Sequence, residues 1–418
     1  MRDDWLRSWM RLLGTVPRMT GEALKGKYAG WKASKRLRHP LREIPWNSRS
    51  AEAALADAER MFSMNGRSMR APVTNMLQSE EDRELVELIH NETTRSNRSN
   101  ITRTAAYLEC YNRFPELHWA LLAHLVSRNG GYNMTDLKGG LMEDLMTGQQ
   151  REWMYRLLER CNALIFQDAY PQLLLYTHSR RLGRSCFHLL PFFHVSAFMV
   201  PFWDRFWTLR DSPLLTVALI INEQHYIEER VIRNPYFQKH VTRCASFRVH
   251  DWLHLNQIVF PLGQDSGLAG LIIEHFTNLN ERIGFGKSLY ALLFGYEQVL
   301  TQAHSFAQNV PHKGSRSEYW PQLFTPDIKK ALHSPYESAA LNNKERLPSN
   351  SKLYSPTLEQ VWSDTPYEPI PRYDWFQGML NPSYLSKPRR PFLFEMTHEH
   401  RFGIRKTAAG HDAEILLQ

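Results

Sequence analysis

Cysteine is nearly absent, with four in 418 residues at Cys110, Cys161, Cys186 and Cys244 and no Cys-x-x-Cys spacing among them. That scarcity excludes a disulfide-stapled scaffold and a thiolate zinc site, and the four read as small core residues of a reducing compartment. Also missing is an uninterrupted apolar run of the ~20 residues that a membrane-spanning helix requires. The nearest approach, Cys186 to Trp203, goes eighteen residues without a formal charge, but Pro191 and Pro201 break it, and His188, His194 and Ser196 would need partners in lipid. A buried or interfacial segment is expected there instead. The first residues do not compose an export signal: Asp3 and Asp4 occupy the place of a basic n-region, and Gly14 to Arg38 is too basic for an apolar h-region. Cytoplasmic location is the resulting expectation, and the Asn-x-Ser/Thr triplets at Asn91, Asn97, Asn100 and Asn133 are then matters of composition.

Three chemical signatures stop short of completion. Gly284-Phe285-Gly286-Lys287-Ser288 resembles the end of a phosphate-binding loop, but Glu281 stands where the leading glycine belongs and LAGLIIEHFTNLNER before it reads as helix. Gly263-Gln264-Asp265-Ser266-Gly267 has the wrong spacing for the nucleophile elbow of acyl-transfer hydrolases. His250-Asp251-Trp252-Leu253-His254 places two imidazoles at i and i+4, with Asp251 where a zincin carries its general-base glutamate. No internal repeat at a fixed period occurs.

What the chain does have is 43% hydrophobic and 22% charged residues, the composition of a folded protein with a large core. Its charge is segregated. Met1 to Arg49 hold twelve Lys or Arg against four Asp or Glu, the whole of the net charge of +8, and the rest of the chain carries 39 of each sign. A body so balanced argues against nucleic acid as its partner. Within the basic arm, residues at about 100° per step place Trp5, Leu6, Trp9, Met10, Leu12 and Leu13 on one side of a helix and Arg7, Ser8 and Arg11 on the other. Followed by Lys25, Lys27, Lys32, Lys35, Arg36 and Arg38, this is the pattern of a helix that docks on an anionic membrane surface or a partner protein. Packing on its own domain is the competing use of such a helix.

Helix punctuation dominates the middle of the chain. Pro115 and Glu116 open LHWALLAHLVSR, with Asn129-Gly130-Gly131 as its stop; Ser212-Pro213 opens LLTVALIINEQHYIEERVI; Ser288 opens LYALLFGYEQVLTQAHSFAQ; and Gln149 to Phe166 has three- and four-residue apolar spacing. The expected fold is all-α, an irregular multi-helix bundle. Twelve of the 23 prolines lie between Pro311 and Pro391, so the end of the chain is expected to be partly irregular and to wrap the bundle, docked by Trp320, Trp362, Trp375 and Phe376, with Asn342 to Ser351 solvated. The implied organisation is a basic arm at 1–49, a helical core domain at 50–310 and a Pro-rich wrapping segment at 311–418.

Candidate site residues follow from residue chemistry alone. His250 and His254, with Glu223 as a third ligand, are the metal candidates, and His225, Glu228 and Asp251 are the acid/base candidates. Arg103, Arg128 and Lys287 are the candidates for holding an anion, against the common structural use of such groups in capping and ion pairs. No cofactor is required by the sequence; a divalent metal is the one such group these residues would suit.

The phrases ITRTAAYLECYNRFPELHWALLAHLVSRNGGYNMTDLKG, LIFQDAYPQLLLY, SPLLTVALIINEQHYIE, GKSLYALLF and PHKGSRSEYWPQLF resemble an uncharacterised bacterial family, the YppC-like proteins with domain of unknown function 2515. The likeness runs over roughly residues 80 to 325. It implies a bacterial, Gram-positive source and supplies no reaction, ligand or catalytic residue. The leading functional expectation is a helical interaction protein held at the inner face of the cell membrane by its arm. The alternative is a metal-dependent or acid/base hydrolase with a buried His/Glu site.

Overall fold

A computed structural model describes residues 26–65, 79–140, 146–242, 256–264, 266–331, 352–365 and 373–404. The protein is mostly helical, an irregular multi-helix bundle. Helix α1 covers residues 26–37. It is followed by α2 (Ser48–Asn65), α3 (Glu80–Ser96), α4 (Asn100–Arg113), α5 (His118–Asp136) and α6 (Gly148–Leu182), then α7 (Val200–Leu209), α8 (Ser212–Ile227), α9 (Leu279–Gly295) and α10 (Glu297–Asn309).

Local chemistry sets many of these ends. Ser99 with Thr102 and Thr147 with Gln150 form reciprocal capping boxes at the starts of α4 and α6, satisfying backbone N–H groups that the helix leaves unpaired. Gly183 ends α6 in the left-handed conformation that glycine adopts without penalty. Asp211 accepts from the Leu214 N–H at 3.0 Å, and Pro213 sits in the first turn of α8. From Ser212 to Asn222 every residue of α8 is buried, so this helix is apolar all round and packs against α5, α6, α7 and α9. Cys186 to Trp203, the charge-free run, folds as short 3₁₀ turns leading into α7 and is mostly buried. Among the described residues no helix is long and apolar enough to cross a membrane.

Four local expectations are corrected. Pro115 lies in the turn between α4 and α5, and α5 starts at His118. Asn129-Gly130-Gly131 does not end α5, which continues to Asp136. The glycines serve close approach: a methyl on Gly131 would land on the Asn100 side-chain oxygen and the His312 ring, and one on Gly130 would meet Asn162. Ser288 does not open a helix, since α9 begins at Leu279 with Asn278 as its cap, and Gly286 is where α9 meets Ile220 of α8. LAGLI is a strand, not a helix: Leu268–Ile272 (β2) pairs antiparallel with Gln257–Pro261 (β1), and the Gly270 N–H donates to the Phe394 carbonyl at 2.7 Å.

Gly131→Ala is expected to cost about 1–3 kcal/mol, because the neighbours that must move are buried polar groups in one network. Gly284, also inside α9, has open space around it, and Gly284→Ala is expected to stabilise by up to about 1 kcal/mol through helix propensity. Urea midpoints of the two variants check both signs.

After Pro311 the described residues dock on the bundle through the expected aromatic side chains. Trp320 and Phe376 are buried. The Trp362 ring stacks on Tyr155 at 3.9 Å between centroids and its N–H donates to the Met134 carbonyl at 2.8 Å. Trp375 stacks on His225 at 4.2 Å and donates to Asn222 at 2.8 Å. Asn342 to Ser351 lies outside the described residues.

Candidate functional site

Of the three cations read as anion candidates, Arg103 and Arg128 are neutralised from within the fold, and Lys287 is held by uncharged oxygen acceptors. Arg103, 1% exposed, donates to both Glu159 oxygens at 2.6 Å and to Asn97 at 3.1 Å, tying α4 to α6. Arg128 donates to Glu318 at 2.6 Å and to the Val310 carbonyl at 2.7 Å, so it fastens α5 to the segment after α10. Lys287 sits within α9, not at a helix start, and donates to the Tyr384 carbonyl at 2.7 Å and to Ser386 at 2.8 Å. Burial lowers the Lys287 ammonium to about 8. Buried cations are stable only when their charge is met in this way, by carboxylates at Arg103 and Arg128 and by oxygen acceptors at Lys287.

Glu223, His225 and Glu228 share one stretch of helix and separate in use. Both Glu223 oxygens accept hydrogen bonds, from Trp119 Nε1 and from Gln224 Nε2, each at 3.1 Å, and burial pushes its carboxyl up to about 8. That shift favours the protonated form of the carboxyl near neutral pH. Glu228 is taken by Arg282 and by Arg233 Nε, the latter at 2.8 Å. His225 lies flat on Trp375, and burial lowers it to about 4, so it stays neutral. No side-chain hydrogen bond joins His225 and Glu228; the Glu228 charge raises the His225 ring, against the larger lowering by burial. Among the described residues no group of three or more His, Cys, Asp or Glu side chains is placed to hold a metal ion. His250, Asp251 and His254 lie outside the described residues.

Sequence reasoning missed a further carboxyl that burial raises well above its ordinary value. Asp168 of α6 accepts from Asn222 and Gln172, and burial raises it to about 7. Its partners come from two helices, and Gln172 in turn accepts from Trp203 Nε1 at 2.8 Å. No local motif marks such a group.

The basic arm yields the surface with free charge. On α1 the small residues Gly26, Ala29, Gly30, Ala33 and Ser34 form one side, which lets the helix backbone approach the chain near Glu395. Ser34 Oγ accepts from the Phe394 and Glu395 N–H groups at 3.1 and 2.9 Å, and a methyl on Gly30 would sit 3.0 Å from the Glu395 carbonyl oxygen. Beyond the helix, the Arg42 N–H donates to the Gly295 carbonyl at 3.1 Å. This part of the arm is therefore fixed to the body.

Its opposite side is exposed throughout: Lys27, Tyr28, Trp31, Lys32, Lys35 and Arg36. No carboxylate among the described residues pairs with these four cations. Tyr28 stacks on Trp31 at 6.0 Å, and Lys35 Nζ lies 5.8 Å from the Trp31 ring centre. Arg38 continues the surface, donating to the Phe392 carbonyl and covering its ring at 3.3 Å, next to exposed Leu393, Arg389 and Arg390. Phe392 is 63% and Tyr28 66% exposed, so the aromatic edges stand in water among the cations. Trp5, Arg7, Trp9, Arg11 and Lys25 lie outside the described residues.

Comparison with known proteins places the chain. The uncharacterized protein YppC of Bacillus subtilis (strain 168) is 37% identical over 324 residues, covering 77% of this chain and 93% of its own length. No solved structure matches. The model of a family described as protein of unknown function, DUF2515, matches residues 95–406, reaching past the phrases that first suggested the likeness and through the Pro-rich segment. The chain belongs to the DUF2515 family.

Proposed function

We propose that this is a peripheral membrane protein that docks on the anionic inner face of the cell membrane through the outer side of α1. The observation that carries the reading is the unpaired, aromatic-interleaved cationic side of α1, held rigidly by the small residues on its opposite side. Each Lys or Arg near an anionic headgroup surface contributes about 1 kcal/mol, so Lys27, Lys32, Lys35 and Arg36 together supply on the order of 4 kcal/mol. Tyr and Trp favour the interface, where the ring is half in hydrocarbon and its polar edge in water. A fixed helix also loses less entropy on docking than a free arm would.

The test is co-sedimentation of the full chain with phosphatidylglycerol-containing vesicles and with pure phosphatidylcholine vesicles. Binding to the first and not the second is expected. The variant Lys32→Glu/Lys35→Glu/Arg36→Glu, altered only at exposed positions, is expected to bind at least about a hundredfold more weakly. Equal binding to both vesicles, or an unaffected variant, would refute the reading.

A further inference from the structure

Between α4, α5, α6, α8, α9 and the β1–β2 hairpin lies a cavity of about 240 Å³. For scale, an apolar protein cavity of ~150 Å³ holds benzene. Its walls are hydrocarbon over most of their extent, with Leu122, Val126, Leu157, Ile165, Phe285 and Leu289 among them. The space is partly open to the outside, so a small molecule has a way in.

Two polar groups give the cavity a chemical direction. Glu223 and Tyr107 both line it. The Tyr107 hydroxyl is fully buried and has no hydrogen-bond partner among the described residues, although a buried hydroxyl left unpaired costs about 1–3 kcal/mol. Trp119 and Gln224 each donate to a Glu223 oxygen, and burial favours the protonated form of its carboxyl. After burial, the Glu223 carboxyl is the next cause that raises the Tyr107 phenol, which fits two groups facing a common space. The Tyr107 hydroxyl lacks a partner among the described residues, and a protonated Glu223 carboxyl is a second donor on the same wall.

From this geometry we infer that the cavity is a binding site for a small, uncharged, largely hydrocarbon molecule carrying one oxygen acceptor, a carbonyl or hydroxyl, which receives hydrogen bonds from Tyr107 and Glu223. The apolar walls take the body of the ligand and the paired donors fix its orientation, the usual division of labour in small-molecule sites. A carboxylate ligand is disfavoured, because Arg282, the cation among the lining residues, is already paired with Glu228 and a second acid would stand beside the first. The inference is independent of membrane docking: the cavity and α1 share no residue.

Benzyl alcohol, toluene and benzoate are the probes, matched in ring and differing in the polar group. Titration calorimetry on the full chain near pH 7 is expected to show benzyl alcohol binding at least about tenfold more tightly than toluene, with benzoate not binding. Tyr107→Phe keeps the ring packing and removes one donor. It is expected to weaken benzyl alcohol about tenfold and to leave toluene unchanged. Ala123→Phe, which projects a ring into the cavity, is expected to abolish binding of both. Benzyl alcohol binding no better than toluene, an unchanged affinity in Tyr107→Phe, or no binding of any probe to a folded wild type would overturn the site. If Ala123→Phe does not fold, the Tyr107→Phe comparison still decides.

Discussion

Arg128→Met is expected to destabilise the protein by about 3–5 kcal/mol, the cost of leaving a buried carboxylate without its cation. Glu318 is 7% exposed and is held by Arg128, Tyr132, His312 and the Lys313 N–H. Burial alone would raise its carboxyl, but the His312 ring and the Arg128 guanidinium more than offset that and hold it down at about 2. The group contributes stability above its ordinary value of 4.5, and that contribution is lost as pH falls through that value toward 2. Urea unfolding should therefore show Arg128→Met far below wild type at neutral pH. Arg128→Met/Glu318→Gln should recover part of the loss, since it removes the stranded charge. A single variant within about 1 kcal/mol of wild type would mean that the pair does not hold α5 to the chain after α10.

Glu223 and Asp168 act in the opposite direction. Burial raises Glu223 from 4.5 to about 8 and Asp168 from 3.8 to about 7, so between those limits the native state binds protons that the unfolded chain releases. Stability from both groups is complete at low pH and is lost as pH rises through that window. For Glu223 the loss from about pH 5 to about pH 8 is on the order of 4 kcal/mol. Glu223→Gln keeps a carbonyl that accepts from Trp119 and has no proton to lose. Its urea midpoint is expected to fall much less than that of wild type over this pH range, and Glu223→Gln should be the more stable of the two at about pH 8. Parallel pH profiles for the two proteins would show that the carboxyl is ionised and differently placed.

The legible parts of this fold were those written in local chemistry. Ser212-Pro213 marks the start of α8, and the prolines and tryptophans after Pro311 mark a wrapping segment, because capping, ring closure and large apolar area act within a few residues of themselves. Gly130-Gly131 was misread because its reason lies elsewhere: Asn100, Asn162 and His312 approach α5 there, and without them two glycines look like a stop. LAGLI is too short and too uniformly apolar for periodicity to separate strand from helix. Arg103 and Arg128 are readable in the sequence as anion clamps or as ion-pair formers, and their carboxylates lie 56 and 190 residues away, so no local pattern names the partner.

The same limit applied to the sites. Glu223 stood out as a possible metal ligand beside His225 and Glu228. Its actual state depends on Trp119, 104 residues earlier, and on burial by several helices. Tyr107 carried no signal at all, since a tyrosine in an apolar helix is ordinary until its hydroxyl is seen to lack a partner. Charge segregation, by contrast, survived folding. The sequence placed the excess cations in the arm, and the folded α1 keeps Lys27, Lys32, Lys35 and Arg36 outward while burying its small residues.

Salt sensitivity tests membrane docking most directly. Wild-type full chain is to be titrated with phosphatidylglycerol vesicles at low ionic strength and again near 1 M salt, where the screening length falls to about 3 Å. Tight binding at low salt that is abolished at high salt is the outcome expected of unpaired lysines and an arginine meeting anionic headgroups. Binding that is indifferent to salt, or no binding even at low ionic strength, would contradict it.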